Sequence, residues 1–212
     1  MKIIKYLSVS VLVLFFISGC NFRLNKSYRI NDGRTTGGKN TINGHITIGS
    51  DCFVKGSCRS VNGSIRIGRL SKVRALQTVN GGIDLHRDVE VKGDLESVNG
   101  GITCDNGVKV YGSVNTINGR VDLSGTTVDY NVSTYNGDIL LLQRSIVRGD
   151  IIVKRNRGKS RRWREMKIEI SGDSRVEGDI IIKDRDIDVV VYLSGDGKVL
   201  GNIDPRAEVI QK

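Results

Sequence analysis

Thr78-Val79-Asn80-Gly81-Gly82-Ile83 is one of six copies of a phrase of the form Thr/Ser-x-Asn-Gly-x-Ile/Val, with glycines at Gly44, Gly63, Gly81, Gly100, Gly119 and Gly137, 18 or 19 residues apart. A unit this short cannot bury an apolar face alone, so each copy must cover the next. The phrase therefore predicts a solenoid.

Aligning the copies on the glycine gives columns. Two residues before it stand Ile42, Val61, Val79, Val98, Ile117 and Tyr135; two after it, Ile46, Ile65, Ile83, Ile102, Val121 and Ile139; four after it, Ile48, Ile67, Leu85, Cys104, Leu123 and Leu141. All three columns read as inward-facing. A second pair follows in several copies, as in Val89 and Val91 or Val108 and Val110, then a corner glycine such as Gly93 or Gly112, then Leu95 or Val114. Alternation with period two and enrichment in Val and Ile are strand patterning. Three such segments per copy predict an all-β, single-stranded parallel β-helix with triangular coils of 18–19 residues, its expected sense right-handed, and about eight coils long.

Two other architectures compete. An α-solenoid needs two helices in roughly 33 residues or more, which 18 cannot supply. Asn-Gly is also a strong hairpin signal, so an antiparallel meander is the alternative, but it leaves the fixed spacing and the Thr/Ser column unexplained. In a β-helix Asn43, Asn62, Asn80, Asn99, Asn118 and Asn136 become one file. Their amides are expected to bond from coil to coil, with left-handed backbone at this corner.

The start of the chain reads differently. Lys2 and Lys5 precede an apolar run from Tyr6 to Ile17 that ends in Ile17-Ser18-Gly19-Cys20. A basic region, a short apolar stretch and small residues before a cleavage point make residues 1–19 a signal peptide. The last four residues resemble the lipobox of bacterial lipoproteins. That resemblance implies acyl chains on Cys20 and, because Asn21 is not the inner-membrane retention Asp, an outer-membrane anchor. Residues 20–40, polar and glycine-containing, are then expected to be a lipidated Cys with a tether or cap, residues 41–204 the solenoid, and 205–212 a C-terminal tail.

Cys52, Cys58 and Cys104 fall in inward columns of a chain expected outside the cytoplasm. They read either as small core residues or as a Cys52–Cys58 bridge with Cys104 left over. His45 and His86 lie outside any Cys or carboxylate cluster, so no metal site is expected, and no motif calls for a cofactor.

Charge supplies a second clue. Without Lys2 and Lys5 the side chains carry 31 basic against 23 acidic groups, a net charge of +8, and residues 154–167 alone carry +7. The rest of the solenoid reads as close to neutral. This basic stretch also interrupts the repeat, because the phrase opening at Gly149 returns only at Gly178. Arg155, Arg157, Lys159, Arg161, Arg162, Trp163 and Arg164 thus form a loop of cations with one aromatic, suited to phosphate and other anionic groups. The expected partners are lipopolysaccharide, an acidic glycan or another anionic polymer. The bland alternative is a solvated loop that serves solubility.

Catalysis has little support. Asp84 and Asp122 share a column, but Thr103 stands between them and Arg66 and Leu140 flank them, which is no carboxylate pair for glycosidic chemistry.

Two further stretches carry a resemblance. Ile146-Val-Arg-Gly-Asp-Ile-Ile-Val153 and Arg175-Val-Glu-Gly-Asp-Ile-Ile-Ile182 resemble bacterial bactofilin-type polymer-forming proteins. The Val-Asn-Gly-x-Ile copies resemble adhesin-like repeat lipoproteins and autotransporter-head-like domains. Together these imply a β-helix used for scaffolding or surface interaction over about residues 40–204. Bactofilins are generally cytoplasmic, lack a cleaved lipoprotein signal and have no such basic insertion. The reading is a non-enzymatic, lipid-anchored envelope module. Its rivals are a scaffold that self-associates through uncapped ends, and a polysaccharide-active β-helix enzyme. The wider spacing after Gly178, with Asp184, Arg185, Asp186 and Asp188, is the expected charged cap, which would disfavour such self-association.

Overall fold

The computed structural model describes residues 23–155 and 165–212; the expected signal peptide, Cys20 and most of the basic loop lie outside them. The described residues form 27 strands and no helix, wound as a parallel β-solenoid of about nine turns. Each complete coil contributes one strand to each of three sheets, of ten, nine and eight strands, called here the first, second and third faces. Neighbours in a face come from successive coils and pair in parallel, as Ile83–Leu85 does with Ile65–Ile67 below and Ile102–Cys104 above. Antiparallel hairpins are absent among the described residues.

The core is a column of Val, Ile and Leu from all three faces. Ile46, Ile65, Ile83, Ile102, Val121 and Ile139 are fully buried, and the column four past the glycine is buried with them. Val89, Val91, Val108, Val110, Leu95 and Val114 fill the other two faces.

Several expectations are corrected. The column two before the glycine does not face the core. Val79 and Val98, with Val61 and Ile117 packed on them, form a separate apolar strip outside it. The physical reason is the residue before: Thr78 points inward, so the next side chain points out. Nor are residues 20–40 all tether. Tyr28–Ile30, Thr35–Thr36 and Lys39–Thr41 (β1, β2 and β3) make a complete first coil, with Tyr28 paired to Ile46. The expected tail also folds, because Ala207–Gln211 (β27) pairs with Asp188–Ser194 (β25) and ends the first face. The stretch from Asp184 to Asp188 is no cap but a corner leading into β25.

Backbone angles bring a further correction. Among the file asparagines expected to turn left-handed, none from Asn43 to Asn136 has positive φ; left-handed residues recur instead at the corner between the first and second faces, including Asp51, Leu70, Asp88 and Gly107, while Asn25, 18 residues before Asn43, does have a φ of 53°. The glycine of Asn-Gly is needed for clearance instead. A Cβ on Gly100 would run into the carbonyl oxygen of Gly81 one coil below, and the same contact recurs along the file.

The Thr/Ser column has a matching role. These hydroxyls are buried, and from Thr41 to Thr116 they donate to a carbonyl of the coil below, as Ser60 to Gly44 at 2.9 Å, Thr78 to Gly63 at 3.0 Å and Ser97 to Gly81 at 3.1 Å, whereas Thr134 accepts from the Gly137 N–H at 2.9 Å. Hydroxyl and glycine are thus two halves of one joint between coils.

Candidate functional site

The six file asparagines form an unbroken amide ladder. Each side-chain Nδ2 donates to the Oδ1 one coil below, at 2.7–2.8 Å: Asn136 to Asn118, Asn118 to Asn99, Asn99 to Asn80, Asn80 to Asn62, Asn62 to Asn43. Asn43 in turn donates to Asn25 at 2.8 Å. Asn25 escapes the sequence pattern because Lys26 and Tyr28 replace the glycine and isoleucine of the phrase, although the 18-residue spacing from Asn43 was available as a signal.

The basic insertion opens where this ladder stops. It leaves the third face after Ile151–Val153 (β21) and returns to the first face at Glu165–Ser171 (β22), so it occupies the corner that Asn-Gly closes in the coils below. Without that corner, the first-face strands lengthen from three or four residues to seven in β22 and β25. The insertion is therefore hung on the longest pairing in the molecule, seven residues in register.

Its outgoing foot is built into the third face. Lys154 is half-buried, with Nζ 3.5 Å from Asn115 Oδ1 and 5.8 Å from the Tyr135 ring centre. Burial pushes its pKa down; Glu96 opposes this, and the nearby Lys183 adds to it. Below it the outer side chains of the third face are bonded to one another. Arg59 Nε donates to Gln77 Oε1 at 2.6 Å, Gln77 Nε2 to Glu96 Oε2 at 2.7 Å, and Ser133 Oγ to Asn115 Oδ1 at 2.5 Å. On the returning leg, Lys167 pairs with Glu169 at 2.6 Å and lies 4.9 Å from the Tyr192 ring centre. Of its neighbours, Asn115 and Lys183 were not singled out by sequence reasoning and Tyr135 was read only as a member of an inward column, since the three come from three other coils.

Of the sequence-predicted loop residues, Arg155 is described and is exposed. Arg157, Lys159, Arg161, Arg162, Trp163 and Arg164, like Cys20, lie outside the described residues. The Cys52–Cys58 bridge is not formed: both are buried free thiols, as is Cys104. Cys52 Sγ donates instead to the Asn31 carbonyl at 3.2 Å, while Cys58 opens the Cys58–Ser60 strand on the far side of Phe53–Val54. Asp84 and Asp122 are each engaged by an arginine, Arg66 at 3.1 Å and Arg120 at 2.5 Å, with Thr103 in register between them. No cluster of potential metal ligands occurs among the described residues.

Near-neutrality of the solenoid body holds only as an average. Residues 23–78 carry eleven Lys and Arg against two Asp, a net +9, whereas 79–153 and 168–212 each carry six against ten, a net −4. The charge is thus polarised along the coil axis. No family model, characterised protein or solved structure matches the chain.

Proposed function

We propose that the chain is a non-enzymatic, lipid-anchored envelope lipoprotein whose β-solenoid acts as a structural and interaction module. Its basic insertion would contact lipopolysaccharide or another anionic envelope polymer. The observation that carries this reading is that the +7 segment 154–167 leaves and re-enters the fold at a corner that six lower coils close with Asn-Gly. Loops carried on a rigid scaffold are where binding residues concentrate. The reading is tested by co-sedimentation of the Cys20→Ser chain with lipopolysaccharide, compared with a variant carrying Arg155→Gln, Arg157→Gln, Arg161→Gln, Arg162→Gln and Arg164→Gln. Binding that falls steeply with salt and is severalfold weaker in the variant is expected; equal binding by both chains would sink the idea.

Self-association is the second reading, favoured by one observation. The terminal strand β27 pairs only with β25, so its other edge carries unpaired peptide groups. Sedimentation velocity over a range of concentrations checks it, with concentration-dependent assembly that disappears on removal of residues 207–212 as the supporting result.

A further inference from the structure

The first three coils carry the positive charge of the solenoid body, and the first of them, residues 23–41, carries +4 at the N-terminal end of the described coils. In the first coil Arg23, Lys26, Arg29, Arg34 and Lys39 face a single acid, Asp32, whose carboxylate is occupied by the Ser50 backbone N–H at 2.8 Å. The five are spread around the coil, with Arg29 on the first face, Arg34 beside the second and Lys39 on the third. Arg23, Lys26, Arg29 and Arg34 are exposed and none forms an ion pair among the described residues, whereas some bases of the higher coils are matched with acids, as in Arg66–Asp84, Lys72–Glu90 and Arg148–Asp129. Leu24, beside Arg23, is 70 % exposed. An unmatched cationic collar with an exposed leucine, beginning three residues after Cys20, is a surface shaped by charge for a negatively charged plane.

We infer that this collar docks on the anionic head groups of the membrane that holds the chain, so that the solenoid stands on its N-terminal end. One acyl-bearing residue alone leaves a rod free to tilt; a ring of cations around its base gives a second, electrostatic attachment. The negative coils above are repelled by the same surface. The described residues that flank the insertion, Lys154 and Glu165, six to seven coils away, are then on the order of 30 Å from the lipid at about 4.8 Å per coil. The orientation rests on the membrane attachment proposed above, but the collar's affinity for anionic lipid does not need the acyl chains and is measured without them.

The experiment uses the Cys20→Ser chain throughout, with vesicles of phosphatidylcholine alone or with phosphatidylglycerol added. Unaltered collar and insertion, and the Arg-to-Gln insertion variant, are expected to pellet with the anionic vesicles only, and salt should release them. A collar variant, Arg23→Gln, Lys26→Gln, Arg29→Gln and Arg34→Gln, should bind at least tenfold more weakly. The charge-keeping variant Arg23→Lys, Arg29→Lys and Arg34→Lys should bind like the parent, which separates loss of charge from loss of fold. Undiminished binding by the collar variant, equal binding to neutral vesicles, or loss of binding in the insertion variant alone would each overturn the inference. The mass of the wild-type chain reports lipidation separately. An unmodified Cys20 would remove the anchor and leave the collar result standing.

Discussion

Gly100 and Thr78 carry the argument at the residue scale, because each shows why the repeat tolerates so little change in two of its columns. Alanine at Gly100 must displace the Gly81 carbonyl, which belongs to backbone and not to the end of a flexible side chain. Gly100→Ala is expected to cost about 1–3 kcal/mol in urea denaturation, and Thr78→Val, which leaves the Gly63 carbonyl unpaired inside the protein, about 1–3 kcal/mol. The buried thiols give a pH dependence. Burial pushes Cys58 up to about 11 from its ordinary 9.0, and burial reinforced by Asp105 and Asp84 pushes Cys104 higher still. Since the unfolded chain releases these protons first, this contribution is intact below pH 9 and is lost as pH climbs towards 11. The melting temperature should fall across that interval, and Cys58→Ala with Cys104→Ala should flatten the fall. The core columns were legible in the sequence, because alternation in Val and Ile reports burial directly. The outward turn of Val79 and Val98 was not, since it depends on the inward hydrogen bond of the threonine or serine before them.

At the scale of the element, the two kinds of strand end are handled differently. The third face ends at Ile180–Ile182 (β24), and what lies above it is no full strand. Ile180 donates to the Asn202 carbonyl and accepts from Asp204 N–H, both at 2.9 Å, after which side chains take over: Ile182 N–H donates to Asp204 Oδ2 at 3.1 Å and the Arg206 guanidinium donates to the Ile182 carbonyl. Pro205 lies between them, where a ladder N–H is not required. Arg206 beside Asp204 holds its carboxyl well below the usual carboxylate range. A depressed pKa means the clasp is fully formed above the ordinary value of 3.8 and weakens only as pH drops through the folded value below it. Asp204→Asn should therefore raise hydrogen exchange at Ile182 at neutral pH while leaving Ile83 protected. Unchanged exchange at Ile182 would show that the clasp contributes nothing. This cap was not legible, because the sequence offered a denser run of acids at Asp184–Asp188, and only the fold shows which of the two segments lies over an open edge.

Taken as a whole, the molecule is a stack whose interfaces repeat, so its length is adjustable by whole coils. Removing residues 82–100 joins Gly81 to Gly101 and keeps the Asn-Gly phrase, the hydroxyl joint and the alternation in register. That deletion should give a folded, cooperatively melting chain shorter by about 4.8 Å in scattering, whereas removing residues 82–91 should not fold, because it takes two of the three strands, Ile83–Leu85 and Glu90–Val91, out of one coil and leaves the coils on either side unpaired on two faces. The first coil and the axial charge polarity were both present in the sequence yet hidden in it. The first departs from the phrase at Lys26 and Tyr28, and the second disappears in any whole-chain sum. The amide ladder has one more consequence, which concerns how the molecule ages. A glycine following asparagine leaves the peptide nitrogen unshielded, so such pairs are prone to lose ammonia and become aspartate. A converted rung can still accept from the rung above but can no longer donate to the one below, so a single conversion costs one bond. Conversion of two neighbours sets like charges face to face about 4.8 Å apart. Peptide mass analysis of long-stored folded protein should accordingly find conversions scattered along the file, with adjacent ones confined to the material that has already unfolded.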